Sequence, residues 1–122
     1  MSSRAYDEVL AKLREICLAL PETTEGVAWK HPVFRVAGKM FCGYEQLSGK
    51  WTVGLRMDEG QAEVREHDTD VVASQYMGKH KWVSIDDAAI EDWDGIADLI
   101  RDSYRLTAPK KALAKLEGDG AQ

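Results

Sequence analysis

The chain has 122 residues, of which 44% are hydrophobic and 30% are charged, and its formal net charge is −5 at pH 7. This length predicts one domain over residues 1–122, and this composition excludes a disordered chain or a membrane protein. No apolar run approaches the roughly 20 residues needed to cross a bilayer, and the N-terminus lacks a signal peptide's apolar segment, so we expect a cytoplasmic protein.

The first predicted element is an amphipathic helix. Its apolar residues recur at steps of three and four from Tyr6 to Leu20, and Pro21 stops it. A polar loop over residues 22–26 is expected to follow, because it lacks any apolar periodicity.

The next segment has a period of two. From His31 to Met57 the sequence predicts a three-stranded antiparallel meander, with turns at Ala37-Gly38 and Ser48-Gly49. The third strand alternates apolar and polar residues over 51–57. One of its faces should therefore pack on helices, while the other stays polar and carries Arg56.

The second half begins with a short acidic helix that runs from the N-cap Asp58 to about His67. A short extended piece at residues 71–73 and a strand from Lys81 to Ile85 are predicted next. A long helix follows, with an apolar stripe from Ile90 to Tyr104.

The last predicted helix begins at Pro109 and runs to about Leu116, before a frayed tail at about 117–122. The order of elements predicts an α+β fold, a two-layer sandwich. In it, the N-terminal and C-terminal helices pack side by side on one face of an antiparallel sheet, because both need an apolar surface. The other face would remain available for function.

Charge is sorted along the chain. The strand segments 30–56 and 74–85 have net charges of +4 and +2, while the helical segments 57–73 and 86–102 have −5 and −6, and 103–116 returns to +4. A local field of this kind, rather than the net charge, would attract an anionic partner.

Several short motifs stand in a recognisable order: Leu-Pro before an acidic loop, Pro-x-Phe-Arg-Val from Pro32, Gly-Lys-Met-Phe from Gly38, Lys-x-x-Trp-Val from Lys79, and the late Ser103-Tyr104. Over about residues 10–116 the chain resembles the MmcQ/YjbR-like proteins. The resemblance implies a fold like that of bacterial frataxin (CyaY) and a DNA-binding role.

Iron is not implied for this chain. Iron binding as in frataxins would need a dense carboxylate ridge on the first helix, and here the acidic residues are interrupted by Arg4, Lys12 and Arg14. The sequence therefore predicts no metal and no cofactor.

The segment from Tyr76 to Trp82 interleaves aromatic and cationic residues with no acid, a combination that binds phosphates while stacking a base or sugar. The alternative is structural: Trp82 and Tyr76 plug the edge of the core, with the lysines solvated around them.

The hairpin from Arg35 to Lys39 is a second candidate, since Gly38 permits a tight turn that projects Lys39. It can equally be an ordinary hairpin whose lysine keeps the edge soluble. Trp29-Lys30-His31-Pro32 forms a third cationic and aromatic cluster, and His31 would approach His80 if the first and last strands were neighbours.

No catalytic motif is present, so we do not expect an enzyme. Cys17 and Cys42 lie in apolar patterns and are expected to be buried, reduced thiols. Ser103 falls inside a helix, without the base and sharp turn that a nucleophilic serine needs.

The leading hypothesis is a DNA-binding protein that uses a basic sheet face and its hairpins. The alternative is a small protein- or ligand-binding module, with a protein partner or weak self-association in place of DNA. The predicted nucleic-acid-binding residues are Lys30, Arg35, Lys39, Arg56, Lys79, His80, Lys81 and Trp82.

Overall fold

The computed structural model describes the backbone of residues 3–121 and the side chains of residues 6–116. The helices are α1 (Ser3–Cys17), α2 (Glu59–Arg65), α3 (Trp93–Thr107) and α4 (Lys110–Ala121), with a 3-10 turn at Asp87–Ala89. The strands are β1 (Thr23–Ala28), β2 (His31–Val36), β3 (Lys39–Leu47), β4 (Lys50–Met57), β5 (Val71–Met77) and β6 (His80–Asp86).

The strands form one antiparallel sheet in the order β1-β2-β3-β4-β6-β5. The predicted α+β fold is confirmed, with strands β2 to β4 matching the meander. The strands at the two edges, β1 and β5, were underestimated. The segment predicted as a polar loop over 22–26 is largely β1, an edge strand with three half-buried and three exposed residues and no fully buried one. A strand that buries so little surface does not need apolar residues at every second position, so its sequence lacks the alternation that predicts a strand.

The helices cover one face of this sheet, and the core lies between the two layers. Phe41 of β3 packs edge-on against Tyr104 of α3, with ring centroids 5.5 Å apart. Tyr6 of α1 packs against Tyr44 and Trp51 of the sheet, with ring centroids 5.4 and 5.0 Å apart. Fully burying a large apolar side chain contributes about 1.5–3 kcal/mol, so this face supplies most of the stability.

Caps and hydrogen bonds fix the helix positions. Asp58 caps α2 as predicted, because its carboxylate accepts from the backbone N–H of Gln61 at 2.8 Å. The helix predicted from Ile90 begins three residues later, where Asp92 caps it at the backbone N–H of Asp94. The last helix, predicted to end at about Leu116 before a frayed tail, instead continues to Ala121, and the side chains beyond residue 116 lie outside the described part of the chain.

Within residues 3–121, no helix is both long enough and apolar enough to span a bilayer.

Candidate functional site

The face of the sheet that carries no helix is called the open face here. In an antiparallel sheet, directly paired residues share a face. The open face therefore contains the row Val33, Gly43, Gly54 and Ser84, and the row Arg56, Trp82 and Gln75. At its upper end lie the β2–β3 and β5–β6 hairpins, and at its lower end lie the β1–β2 and β3–β4 turns.

Cations on the helix side of the molecule are mostly neutralised. Six of them hold carboxylates within 4 Å: Arg14 with Glu25, Arg65 with Asp68 and Asp70, Lys81 with Glu66, Arg101 with Asp98, Arg105 with Asp102, and Lys115 with Glu22. Among the described residues, the helices leave only Lys12, Lys110 and Lys111 without an ion pair.

Cations on the open face and its hairpins are mostly free. Within the described part of the chain, five have no carboxylate within 4 Å, namely Lys30, Arg35, Lys39, Arg56 and Lys79. Lys50, at the lower end, is 3.7 Å from Asp86. Uncompensated positive charge therefore collects on the open face and in the hairpins at its ends, whereas the helix layer is mostly neutralised.

The upper end gathers most of these free cations. Lys39 and Lys79 are exposed at the β2–β3 and β5–β6 hairpins, and His80 is half-buried beside Lys79. Arg35 lies on the open face, with its guanidinium over Gly26 of the edge strand. Lys39 is paired with the core residue Val36, so its exposed side chain starts from the helix side of the hairpin. The two hairpins are three strand positions apart, about 14 Å at the usual strand spacing.

Arg56 is the most unusual of these cations. One guanidinium nitrogen donates to the Met40 carbonyl at 3.2 Å, and its Nε is buried without a hydrogen-bond partner. Burial lowers the pKa of Arg56 below its ordinary value. A partly buried charge without a counter-ion is costly, and a bound anion would compensate it.

Trp82 combines features of both sequence-based interpretations. Its side chain is buried, with 6% exposure, yet it lies on the open face rather than in the core beneath the helices. The indole crosses Gly54, where a Cβ would come within 2.4 Å of its Nε1. It is not free to stack on an external base from the surface.

Lys81 does not join the other predicted contact residues. It pairs with Met57 on the helix face, where its ammonium bonds Glu66 of α2 and lies 4.8 Å from the ring centroid of Tyr76. This hydrogen bond raises the pKa of Lys81 and lowers the pKa of Glu66.

His31 and His80 do not meet. His31 opens β2 at the lower end, and His80 opens β6 at the upper end, with β3 and β4 between the two strands. The ring of His31 instead packs edge-on against Trp51, 5.7 Å between centroids. Within the described residues, no group of three or more His, Cys, Asp or Glu side chains could hold a metal ion.

Lys30 lies at the lower end, in the turn between β1 and β2. Trp29 and Lys30 are the two residues of this turn, and both have positive φ, 50° and 70°, as a type I′ hairpin turn requires. Ala37-Gly38 and Ser48-Gly49 have the same geometry, so it does not distinguish this turn. The turn is distinguished by the indole of Trp29, which is 79% exposed.

Beside this turn is a small cavity of about 150 Å³ on the open face. Its lining residues include the aromatic Trp29, His31 and Trp82, the polar Glu45 and Gln75, and Met40 and Met77. Sequence reasoning missed this site, although Gly43 and Gly54 carried a signal. Glycine within a strand often marks the close approach of another group.

The candidate nucleophiles are enclosed. Cys17 and Cys42 are buried free thiols, as expected, and a hydrogen bond between them and their burial raise the pKa of Cys17. Ser103 is buried in α3, donates to the Phe41 carbonyl and accepts from the backbone N–H of Arg56. The two thiols therefore belong to the packed core, and the Ser103 hydroxyl links α3 to strands β3 and β4.

Comparison with known proteins places this fold. The crystal structure of Deinococcus radiodurans protein DR2400, which has a DUF419 domain, is similar with a TM-score of 0.65 and 22% identity, covering 80% of this chain and 76% of that one. No curated protein gives a significant match. The model of the YjbR family matches residues 18–106, about three quarters of the chain. This protein is therefore a member of the YjbR family.

Proposed function

We propose that the protein binds nucleic acid through backbone phosphates, using the upper end of its open face. The observation that carries this proposal is the separation of charge. Arg35, Lys39, Arg56 and Lys79 are unpaired on this face and its hairpins, whereas most helix-side cations are neutralised by carboxylates. Local positive potential of this kind attracts a polyanion even when the net charge is negative.

The geometry of the hairpins supports the same proposal. Lys39 and Lys79 project from hairpins about 14 Å apart, close to the roughly 12 Å width of the major groove of B-DNA. Phosphates on either side of a groove can therefore meet the two hairpins together. Arg56, between them, would contribute the uncompensated guanidinium described above.

The test is fluorescence anisotropy of a labelled 20-base-pair duplex over a salt series. Contact with four phosphates gives a slope of about −3.6 in log K against log salt. The double variant Lys39→Glu/Lys79→Glu should weaken binding at least about tenfold and reduce the magnitude of this slope by about 2. Both side chains are exposed, so the fold should persist.

The matched control is Lys110→Glu/Lys111→Glu. It makes the same change of charge at two exposed, unpaired lysines of α4, on the other side of the molecule. If both double variants weaken binding equally, net charge alone governs the interaction and the proposed surface is wrong. Absence of any change in anisotropy at low salt, with salt-sensitive self-association in light scattering, would instead identify a protein-binding module.

A further inference from the structure

We propose that the cavity on the open face binds the base of a pyrimidine nucleotide, either free or within a single strand. This site extends from Trp29 at the lower end to Met40 and Met77, which adjoin the upper hairpins, and it does not require that duplex DNA binds there. Three properties of the lining carry the proposal: its size, its aromatic walls and the position of its polar groups.

Size favours a ligand of one ring. A cavity of about 150 Å³ accepts a benzene-sized molecule, and a single pyrimidine ring fits it with less displacement of the lining than a fused purine does. Met40 and Met77 line the same space, and their flexible side chains can adjust around an entering ring. A single six-membered heterocycle therefore fits better than an extended cofactor.

The aromatic walls favour a planar ligand. Trp82 forms an inner wall and is fixed by burial over Gly54, whereas Trp29 stands exposed at the cavity mouth on the β1–β2 turn. An indole that is 79% exposed gains little from burial, and its positive φ belongs to the hairpin turn. The exposed ring can stack on a base held in the cavity.

The polar groups select the base. Within the described residues the carboxylate of Glu45 has no ion pair or hydrogen bond, so it can accept from the exocyclic amino group of cytosine. Lys30, next to Trp29, is exposed and unpaired, and it can bind a phosphate on the same nucleotide. This combination favours cytosine over uracil and a nucleotide over a nucleoside.

The experiment is a calorimetric titration of the protein with cytidine 5′-monophosphate. Saturable binding is expected, at least about tenfold tighter than that of uridine or adenosine 5′-monophosphate. Loss of one base–aromatic stack should make Trp29→Gly bind about tenfold more weakly. Because glycine suits the positive φ of position 29, this variant should fold.

Ser48→Gly is the matched control. Ser48 has φ of 51° in the β3–β4 turn at the same end of the sheet, and it does not line the cavity. It should leave nucleotide binding unchanged while giving the same relief of strain. A second variant, Glu45→Gln, should reduce the preference for cytidine over uridine monophosphate.

Separate titrations identify the source of the base. Tighter binding of oligo-dC than of the mononucleotide indicates a base in a single strand, and equal or weaker binding indicates a free nucleotide; both support the proposal. The Lys39→Glu/Lys79→Glu variant should still bind cytidine monophosphate, so failure at the upper end remains distinguishable. The proposal is overturned if neither cytidine monophosphate nor oligo-dC binds at millimolar concentration, or if Trp29→Gly binds as the wild type does.

Discussion

The two faces of the sheet treat polar groups in opposite ways. Beneath the helices, the hydroxyl of Ser103 joins the Phe41 carbonyl and the Arg56 backbone N–H, and the Tyr104 hydroxyl donates to the Pro21 carbonyl at 2.8 Å. On the open face and its hairpins, the Nε of Arg56 has no partner and, among the described residues, four other cations lack carboxylates. The covered side also contains an Nε without a partner, that of Arg65, but its guanidinium pairs with Asp68 and Asp70. Stability therefore resides mainly on the covered face, and the open face retains charges without counter-ions, which suit recognition.

The largest effect is expected at Gly54, on the open face. A Cβ there would lie 2.4 Å from Nε1 of Trp82 and 2.8 Å from two ring carbons, all in a rigid, buried indole. Gly54→Ala should therefore lower the free energy of unfolding by about 2 kcal/mol, as overpacking of a filled site does. Urea denaturation measures this change, and tryptophan fluorescence should report displacement of the indole.

Gly43→Ala is the control, since Gly43 is paired directly with Gly54. A Cβ at position 43 would be 3.6 Å from the nearest atom of Trp82, an ordinary contact. Its free energy of unfolding should stay close to that of the wild type. Equal destabilisation by both alanines would mean that strand flexibility, rather than the position of Trp82, accounts for the glycines.

A smaller effect of opposite sign is expected at Arg56. Arg56→Met keeps much of the side-chain length while removing a partly buried charge that has no carboxylate partner. The free energy of unfolding should rise by about 1 kcal/mol, and nucleic-acid binding should weaken. Arg65→Met tests the covered side: the same substitution there breaks ion pairs with Asp68 and Asp70 and should be destabilising. A loss of stability in both variants would contradict the contrast between the faces.

Much of the fold was predictable because its signals are local. The period of two over residues 31–57, the turn glycines Gly38 and Gly49 and the cap at Asp58 identified the correct elements. The strand β1 was not predictable in this way, because an edge strand with polar residues has no distinctive period.

The site was less predictable because it depends on strand pairing. The positions of Lys39 and Lys79 in hairpins could be predicted from turn residues, but the end of the sheet that they share could not. One error was avoidable. Neighbouring residues of a strand point to opposite faces, so Lys81 and Trp82 could not both contact a ligand on one face. The cavity itself depends on Gly43 meeting Gly54 across two strands.

The smallest expected effect concerns the pair that holds Lys81 away from the open face. Lys81 lowers the pKa of Glu66, so this carboxylate stabilises the fold above its ordinary pKa of about 4.3. That contribution is lost as the pH falls through the lowered pKa of the folded state. Glu66→Gln should therefore reduce stability modestly at pH 7 and hardly at all at pH 2, as measured by urea denaturation at each pH.

The control is Glu63→Gln, on the same helix, because Glu63 is exposed and makes no ion pair with a described residue. It should show a much smaller difference between the two pH values. Glu66→Gln also releases the Lys81 ammonium from its carboxylate. If Lys81 remains confined to the helix face by the strand geometry, duplex binding should change little in this variant. A clear gain in affinity would show that the helix side also contributes to binding, and that the division between the two faces is less complete than the pairing of charges indicates.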